Sequence, residues 1–585
     1  MEIKDWHYSA ARNTQIVLYL LKAHHIKKII ASPGTQNMSL VLSMQQDSYF
    51  EMYSAADERS AAYMACGLAA ESGEPIVLSC TGATASRNYV PGLTEAYYRH
   101  LPVVAITSTQ HITSVGHDVP QVIDRSVIQN DIAKCSVLAR IVNNEDDAWD
   151  CMLQVNKALL ELNHHGKGPV HINLEKTNDV DFSVENLPAC RVIRRYIPGD
   201  HLPKLPEGRV GIFIGTHVAF STEETEAIET FCEAHNAVVF CDHTSNYKGR
   251  HRMLFSLVAS QEHYLSPFLQ LSLMIHIGQV SGDYFLQGKL GANAKDVWRV
   301  DEDGKLKDPF KKLTSVFEMT LSEFFSHYSE GSPKQGDNYL YQCREEYKRI
   351  NDAIPQLPFS NIWVAQQLSS KIPSGSYIHF GILNSLRSWN FFELPLSVLS
   401  SSNVGGFGID GGVSTLVGSS LANKDKLHFG IFGDLAFFYY MNVLGNHHLG
   451  NNVRFLLVNN GVGSEFKLYI HPASRYGDEA NKYIAAGGHY GNKSPNLVKH
   501  YAEDLGFEYL SAKNKEEFTK VADRFLEEKI TERPMLLEVF TNDADESNAL
   551  KALNNLLMSD KDRMKEKIRS AVGDKIYAEI SKLIH

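Results

Sequence analysis

Short apolar runs, each closed by glycine, proline or a polar turn, alternate along the chain with stretches in which apolar residues recur at helical spacing. The first pattern predicts strands buried on both faces and the second amphipathic helices; their alternation predicts parallel sheets covered by helices. The series opens with a helix from about Ala10 to Lys27, the strand KKIIAS and the turn Pro33-Gly34. IVLSC near Ile76, VVAITS near Val103 and VHINL near Val170 follow, so residues 1–185 read as one doubly wound domain. Val184 to Arg209 carries four prolines without a period and reads as a connecting strap. VGIFIG, AVVFCD, LMIHIG and DVWRVD then predict a second α/β domain over 205–330, and SEGSPKQGD from Ser329 to Asp337 a linker. A third domain over 355–545 opens on an N-cap at Ser360 and carries YIHFG, LHFGIFGD, VRFLLVNN and MLLEVF. The charged, periodic tail 546–585 reads as a helical extension. The expected fold class is therefore α/β, with three doubly wound parallel-sheet domains. The first and third share a layout without a visible sequence repeat.

Composition narrows the function. Charged residues make up 21% and hydrophobic ones 43% of 585 residues, as in soluble enzymes. A formal net charge of −11 argues against a nucleic-acid partner, which needs a basic face. No apolar run has the length to span a bilayer, and MEIKDWHYSAARNTQ lacks the order of a signal peptide, so a cytoplasmic protein with no membrane partner is expected. The eight cysteines include no C-x-x-C and are expected as unpaired core thiols. The His-His pairs at His24, His164 and His447 lack companions at metal spacing and read as surface or structural.

Candidate chemistry concentrates between Gly433 and Phe466. LHFGIFGD delivers Asp434, and VRFLLVNN delivers Asn459 and Asn460, at one carboxyl edge of a sheet, where open α/β sheets bind ligands. A carboxylate and an amide oxygen suit a hard cation such as Mg²⁺ that keeps water and phosphate oxygens as further ligands. Gly433 lets phosphate approach the backbone N–H groups. Two buried strands with ordinary polar ends are the competing reading of this stretch.

With three α/β domains laid out, the interval from Asp434 to Asn460 resembles the signature of the thiamine-diphosphate enzymes, which runs from Gly-Asp-Gly to Asn-Asn. Leu435 in place of the third glycine is similar to the menaquinone-pathway branch, the SEPHCHC synthases. So are SPGTQN at Ser32, DERSAAYMACGLAAESGEP at Asp57, TEAYYRHLPVVAIT at Thr94, VDEDGKLKDPF at Val300 and GIDGGVSTLVGSSLA at Gly408. The resemblance implies a first domain that holds the cofactor's pyrimidine, a third that holds its diphosphate, a central domain without flavin, and a homodimer or homotetramer with the site at the subunit interface. Glu58 would bond the pyrimidine nitrogen and promote cofactor deprotonation, a task suited to a carboxyl in an apolar setting. Taken alone, Glu58 reads equally as a helix N-terminal carboxylate. Ile409 would prop the cofactor into its bent form. Asp434, Asn460 and the Val462 carbonyl would hold Mg²⁺, while Gly381, Gly408 and Gly433 would admit the cofactor to the backbone, beside Leu435 and Phe466.

The chain also departs from that branch. Gln36, Gln110 and Val404 stand where the branch has arginines for its polycarboxylate substrates, 2-oxoglutarate and isochorismate; Arg387 alone still matches. At about 1.5–3 kcal/mol per charged hydrogen bond, losing three cations would cost the branch's own reaction several kcal/mol of binding. A smaller 2-oxo acid donor held by Arg387 is expected instead. Gln121 falls on a glutamine near the reacting carbon. Glu465 replaces an apolar residue above the thiazolium and could relay a proton, or be a solvated loop charge. His111 and His117 lie in a loop where some decarboxylases keep histidines. The expectation is a carboligase that decarboxylates a 2-oxo acid and passes the carbanion to a carbonyl acceptor. Its alternatives are a simple decarboxylase and a catalytically silent subunit.

Overall fold

Contacts within the computed structural model divide the chain into two units, residues 1–197 with 304–316 and residues 198–303 with 317–585. The structure describes residues 6–177, 180–332, 335–489 and 493–558.

In the first unit, β1 (Lys28–Ala31), β2 (Glu51–Ser54), β3 (Ile76–Cys80), β4 (Val103–Thr109), β5 (Ser136–Ala139) and β6 (Val170–Glu175) form an all-parallel sheet in the order β2-β1-β3-β4-β6-β5. Alternate residues of the buried strands feed two cores. Val77, Val104 and Ile106 join Val17, Leu20 and Leu21 of the helix Arg12–Ala23 on one face. Leu78, Val103 and Ala105 join Ala61, Ala62 and Ala65 of the helix Glu58–Ser72 on the other. This is the period of two that a strand imposes, here apolar on both sides. Small residues let helices close up: a Cβ on Gly92 would lie 2.4 Å from that of Ala62. Within the strap, where no strand was expected, Arg194–Tyr196 forms the short β7.

The second unit opens with β8 (Val210–Ile214), β9 (Val238–Cys241), β10 (Arg252–Leu254), β11 (Leu271–Ile277) and β12 (Ala294–Val300), parallel in the order β10-β9-β8-β11-β12. β13 (Leu313–Phe317) runs from one unit into the other. Then β14 (Tyr377–Phe380), β15 (Leu399–Ser402), β16 (His428–Gly433), β17 (Val453–Asn459), β18 (Glu508–Ala512) and β19 (Met535–Phe540) make a third parallel sheet. Its order, β15-β14-β16-β17-β19-β18, repeats that of the first sheet strand for strand. The connections leave β14 and β16 in opposite directions, which opens a crevice at their carboxyl ends. Phe432, Phe437, Phe455 and Leu457 fill the core behind it.

Ser360 caps the helix Asn361–Leu368 by accepting from the Trp363 N–H at 3.3 Å. The helix expected from Glu546 begins at Asp543 and runs to Asn554; the rest of the expected extension, from residue 559, lies outside the described residues. All eight cysteines are free thiols. Among the described residues no helix is long and apolar enough to cross a membrane.

Glu546 is buried past the carboxyl end of β19, accepting from Asn361 N–H at 3.0 Å and Thr541 Oγ1 at 2.7 Å. Burial pushes its carboxyl from the ordinary 4.5 up to about 7. The folded chain thus keeps this proton longer than the unfolded chain, so its stabilisation is full below about 4.5 and is lost as pH rises through 7. Glu546→Gln should therefore raise the melting temperature more at pH 8 than at pH 5. Equal shifts at both, seen by scanning calorimetry, would contradict this.

Candidate functional site

The crevice between β14 and β16 holds a cavity of about 380 Å³. β14 delivers Gly381 and then Leu383, whose φ of 66° and ψ of −121° put a branched residue in sparsely allowed backbone space. Such strain persists where the surroundings over-determine it, and it clusters at ligand sites. β16 delivers Gly433, where an added Cβ would meet nothing within 4 Å, so a side chain here would project into open space. Asp434 follows as the first residue of the helix Asp434–Tyr440, with its Oδ1 accepting from Leu435 N–H at 2.8 Å and its Oδ2 from Gly461 N–H at 2.7 Å. Burial pushes its carboxyl up to about 6 against the pull of those N–H groups. A buried carboxylate without a cation is stabilised by one arriving.

β17 separates its two terminal asparagines. Asn459 turns into the core and donates to Glu538 Oε1 at 2.7 Å, whereas Asn460 lines the cavity with Val462, Gly463 and Phe466. Asp434 and Asn460 thus give one anionic and one neutral oxygen donor to a single cavity beside the open backbone of Gly433. That donor set fits Mg²⁺ carrying a diphosphate. Ile409 and Leu435 also line the cavity. Gly408 does not; a Cβ there would lie 2.3 Å from Oδ1 at the tip of the exposed Asp410 side chain.

Arg387 and Glu465, read from the sequence as a donor-carboxylate clamp and a separate proton relay, are partners. Nη1 donates to Oε2 and Nη2 to Oε1, both at 2.9 Å. Arg387 sits on the helix Asn384–Trp389, and Glu465, on the 3₁₀ turn Ser464–Lys467, lines the cavity in front of it. Asn384 Nδ2 donates to Ser464 Oγ at 3.2 Å and ties the same two elements together.

The first unit carries the other expected residues. Glu58 is half-buried at the first position of its helix, behind the N-cap Asp57, whose carboxylate accepts from Ser60 N–H at 3.0 Å. Gln36 and Gln121 meet: Gln36 Nε2 donates to Gln121 Oε1 at 2.6 Å, and Gln36 Oε1 accepts from Gly82 N–H at 3.2 Å. Gln110 lines a second cavity of about 250 Å³ with Arg125, Asn173 and Glu175. His111 is exposed and caps the 3₁₀ turn Ile112–Ser114, with its Nδ1 2.8 Å from Thr113 Oγ1; His117 is exposed. Sequence reasoning missed Arg125, a buried cation donating to Thr107 Oγ1 and Ser108 O at 2.6 Å each, with its pKa lowered by burial to about 10. It also missed Leu383, Asn384 and Ser464. The signal available for the latter two was their place just past the ends of β14 and β17.

Residues 12–128, a span that includes Glu58, Gln36, Gln110 and Gln121, match the family model for the thiamine pyrophosphate enzyme N-terminal TPP binding domain. The chain is 30% identical over 566 residues to the 2-succinyl-5-enolpyruvyl-6-hydroxy-3-cyclohexene-1-carboxylate synthase of Bacteroides thetaiotaomicron, covering 93% of this chain and 98% of that protein. It is likewise 30% identical over 561 residues to the synthase of the same name from Phocaeicola vulgatus, again covering 93% and 98%.

Proposed function

We propose a function from one premise: the chain belongs to the thiamine pyrophosphate enzymes, in the branch of the 2-succinyl-5-enolpyruvyl-6-hydroxy-3-cyclohexene-1-carboxylate synthases. On this reading it is a Mg²⁺-dependent enzyme that decarboxylates a small 2-oxo acid and transfers the remaining acyl group to a carbonyl acceptor. The observation that carries it is the meeting of Asp434, Asn460 and Gly433 in one cavity at the switch point of the third sheet.

Thiamine diphosphate, when bound, would supply two things: a carbon nucleophile for the 2-oxo carbonyl, and a cationic ring as the sink for the electrons of the breaking carbon–carbon bond. The chain does the rest. Asp434, Asn460 and the Val462 carbonyl would hold the cation, and Gly433 would leave room for the diphosphate, whereas a Cβ on Gly381 would face Ile431 O and Phe432. Ile409 supports the cofactor's bend, with Leu435 and Phe466 as further apolar walls. Glu58 holds and returns a proton at the pyrimidine nitrogen. Gln121, paired with Gln36, presents amide groups to the substrate, and Gln110 stands nearby in sequence as a neutral replacement for a cation. His111, which caps its own turn, and His117 are both exposed and are weaker candidates for proton transfer.

A homodimer belongs to the same proposal. Tyr63 and Met64 are exposed on the helix that Glu58 starts, and Gly67 beside them opens on empty space, a stripe suited to a second copy. The free thiols suit a reducing cytoplasm.

Transfer is preferred to simple decarboxylation because the relatives are named as synthases. Product analysis with a panel of 2-oxo acids, with and without aldehyde or sugar acceptors, tests this. The expected product is an acceptor adduct formed at the expense of free aldehyde. Aldehyde release unaffected by every acceptor would favour the simple decarboxylase, and efficient formation of the relatives' named product would refute the substrate change.

A further inference from the structure

Arginine forks take carboxylates two hydrogen bonds at a time, and Glu465 already offers Arg387 that geometry, with both terminal nitrogens engaged at 2.9 Å. The pair is sheltered: the side chains of Arg387 and Glu465 are 6% and 20% exposed, and the Tyr284 ring centre lies 5.8 Å from the guanidinium carbon. Among the described residues, the charged side chains lining the cavity are Asp434 and Glu465, both acidic. A ligand in the cavity therefore meets no cationic side chain among the described residues, and Glu465 occupies both terminal nitrogens of Arg387.

We propose that Glu465 is a built-in stand-in for a substrate carboxylate, which fills the Arg387 fork and restricts the donor to 2-oxo acids with an uncharged side chain. The proposal rests on the 2-oxo acid reading above and deepens it by assigning donor specificity to this pair. A dicarboxylate donor must either crowd its second carboxylate against Glu465 or push Glu465 off its partner and leave that charge unpaired in a sheltered site. A donor with an alkyl side chain does neither. Removing the Glu465 carboxylate frees a fork already positioned by its helix and by Tyr284, so the same site should then accept the second carboxylate.

The test compares wild type, Glu465→Leu, Glu465→Gln and the double variant Glu465→Leu/Arg387→Leu, each loaded with thiamine diphosphate and Mg²⁺. Glutarate, an unreactive dicarboxylate, is titrated by calorimetry, and kcat/KM is measured for 2-oxoglutarate and for 2-oxobutyrate. Glu465→Leu should bind glutarate about 10- to 100-fold more tightly than wild type, the scale of one to two charged hydrogen bonds regained. The ratio of kcat/KM for 2-oxoglutarate over 2-oxobutyrate should rise by a similar factor, mainly through KM. The double variant should lose both gains. Glu465→Gln, which keeps the shape without the charge, should shift in the same direction and decides the matter if the leucine variant does not fold. Glutarate affinity unchanged in both single variants overturns the proposal. Absence of turnover with every donor would instead overturn the proposed function, while the glutarate titration still decides the role of Glu465.

Discussion

Glu58→Ala is expected to lower turnover by about 100- to 10,000-fold, the range contributed by one positioned acid–base group, with thiamine diphosphate still bound. The reason lies in where Glu58 sits. As the first residue of the helix Glu58–Ser72 it leaves the capping to Asp57, which accepts from both the N–H and the hydroxyl of Ser60. Its carboxyl is thus not used up in closing the helix, and its loss removes no cap. The fold should survive the substitution, and calorimetric cofactor titration beside steady-state rates separates loss of chemistry from loss of binding. Undiminished turnover in that variant would sink the assignment of Glu58.

Asp434→Ala is expected to act at the opposite stage, on binding. Loss of a direct cation ligand should weaken thiamine diphosphate binding in the presence of Mg²⁺ by at least about 100-fold, since the outer-shell partners of metal ligands are by themselves worth 10- to 100-fold. The cofactor-free fold should not suffer in the same way. Asp434 is a carboxyl that burial pushes up to about 6, so without a cation its charge costs the folded state, and its two backbone hydrogen bonds only partly offset that cost. The melting temperature of the cofactor-free variant should therefore match or exceed that of the wild type, while the rise that cofactor and Mg²⁺ give the wild type disappears. A variant that keeps the wild-type rise would remove Asp434 from the cation site.

The strands that could be read directly from the sequence are those buried on both faces. IVLSC in β3, HFGIFG in β16 and VRFLLVN in β17 are apolar runs because helices cover both sides of each sheet. EMYS in β2 and EYLSA in β18 are edge strands, the first mostly exposed and the second mostly half-exposed, and leave no run to read. The site divides in the same way. Asp434 and Asn460 stand at the ends of consecutive buried strands, so a local pattern marks both. Arg387 and Glu465 are 78 residues apart, and only the fold makes one the partner of the other. No sequence pattern marks Arg125, which the fold buries against the Thr107 hydroxyl and the Ser108 carbonyl. Gly408 was legible as part of a glycine-rich motif, but it does not line the cavity.

A crystal structure of the protein with thiamine diphosphate, Mg²⁺ and an unreactive 2-oxo acid analogue is the most direct measurement. The expected density has the cation on Asp434 and Asn460, the diphosphate against Gly433, Ile409 under the cofactor, and Glu465 still on Arg387. Cofactor bound away from the cavity between β14 and β16, or a cation that touches neither Asp434 nor Asn460, would contradict the assignment of this site.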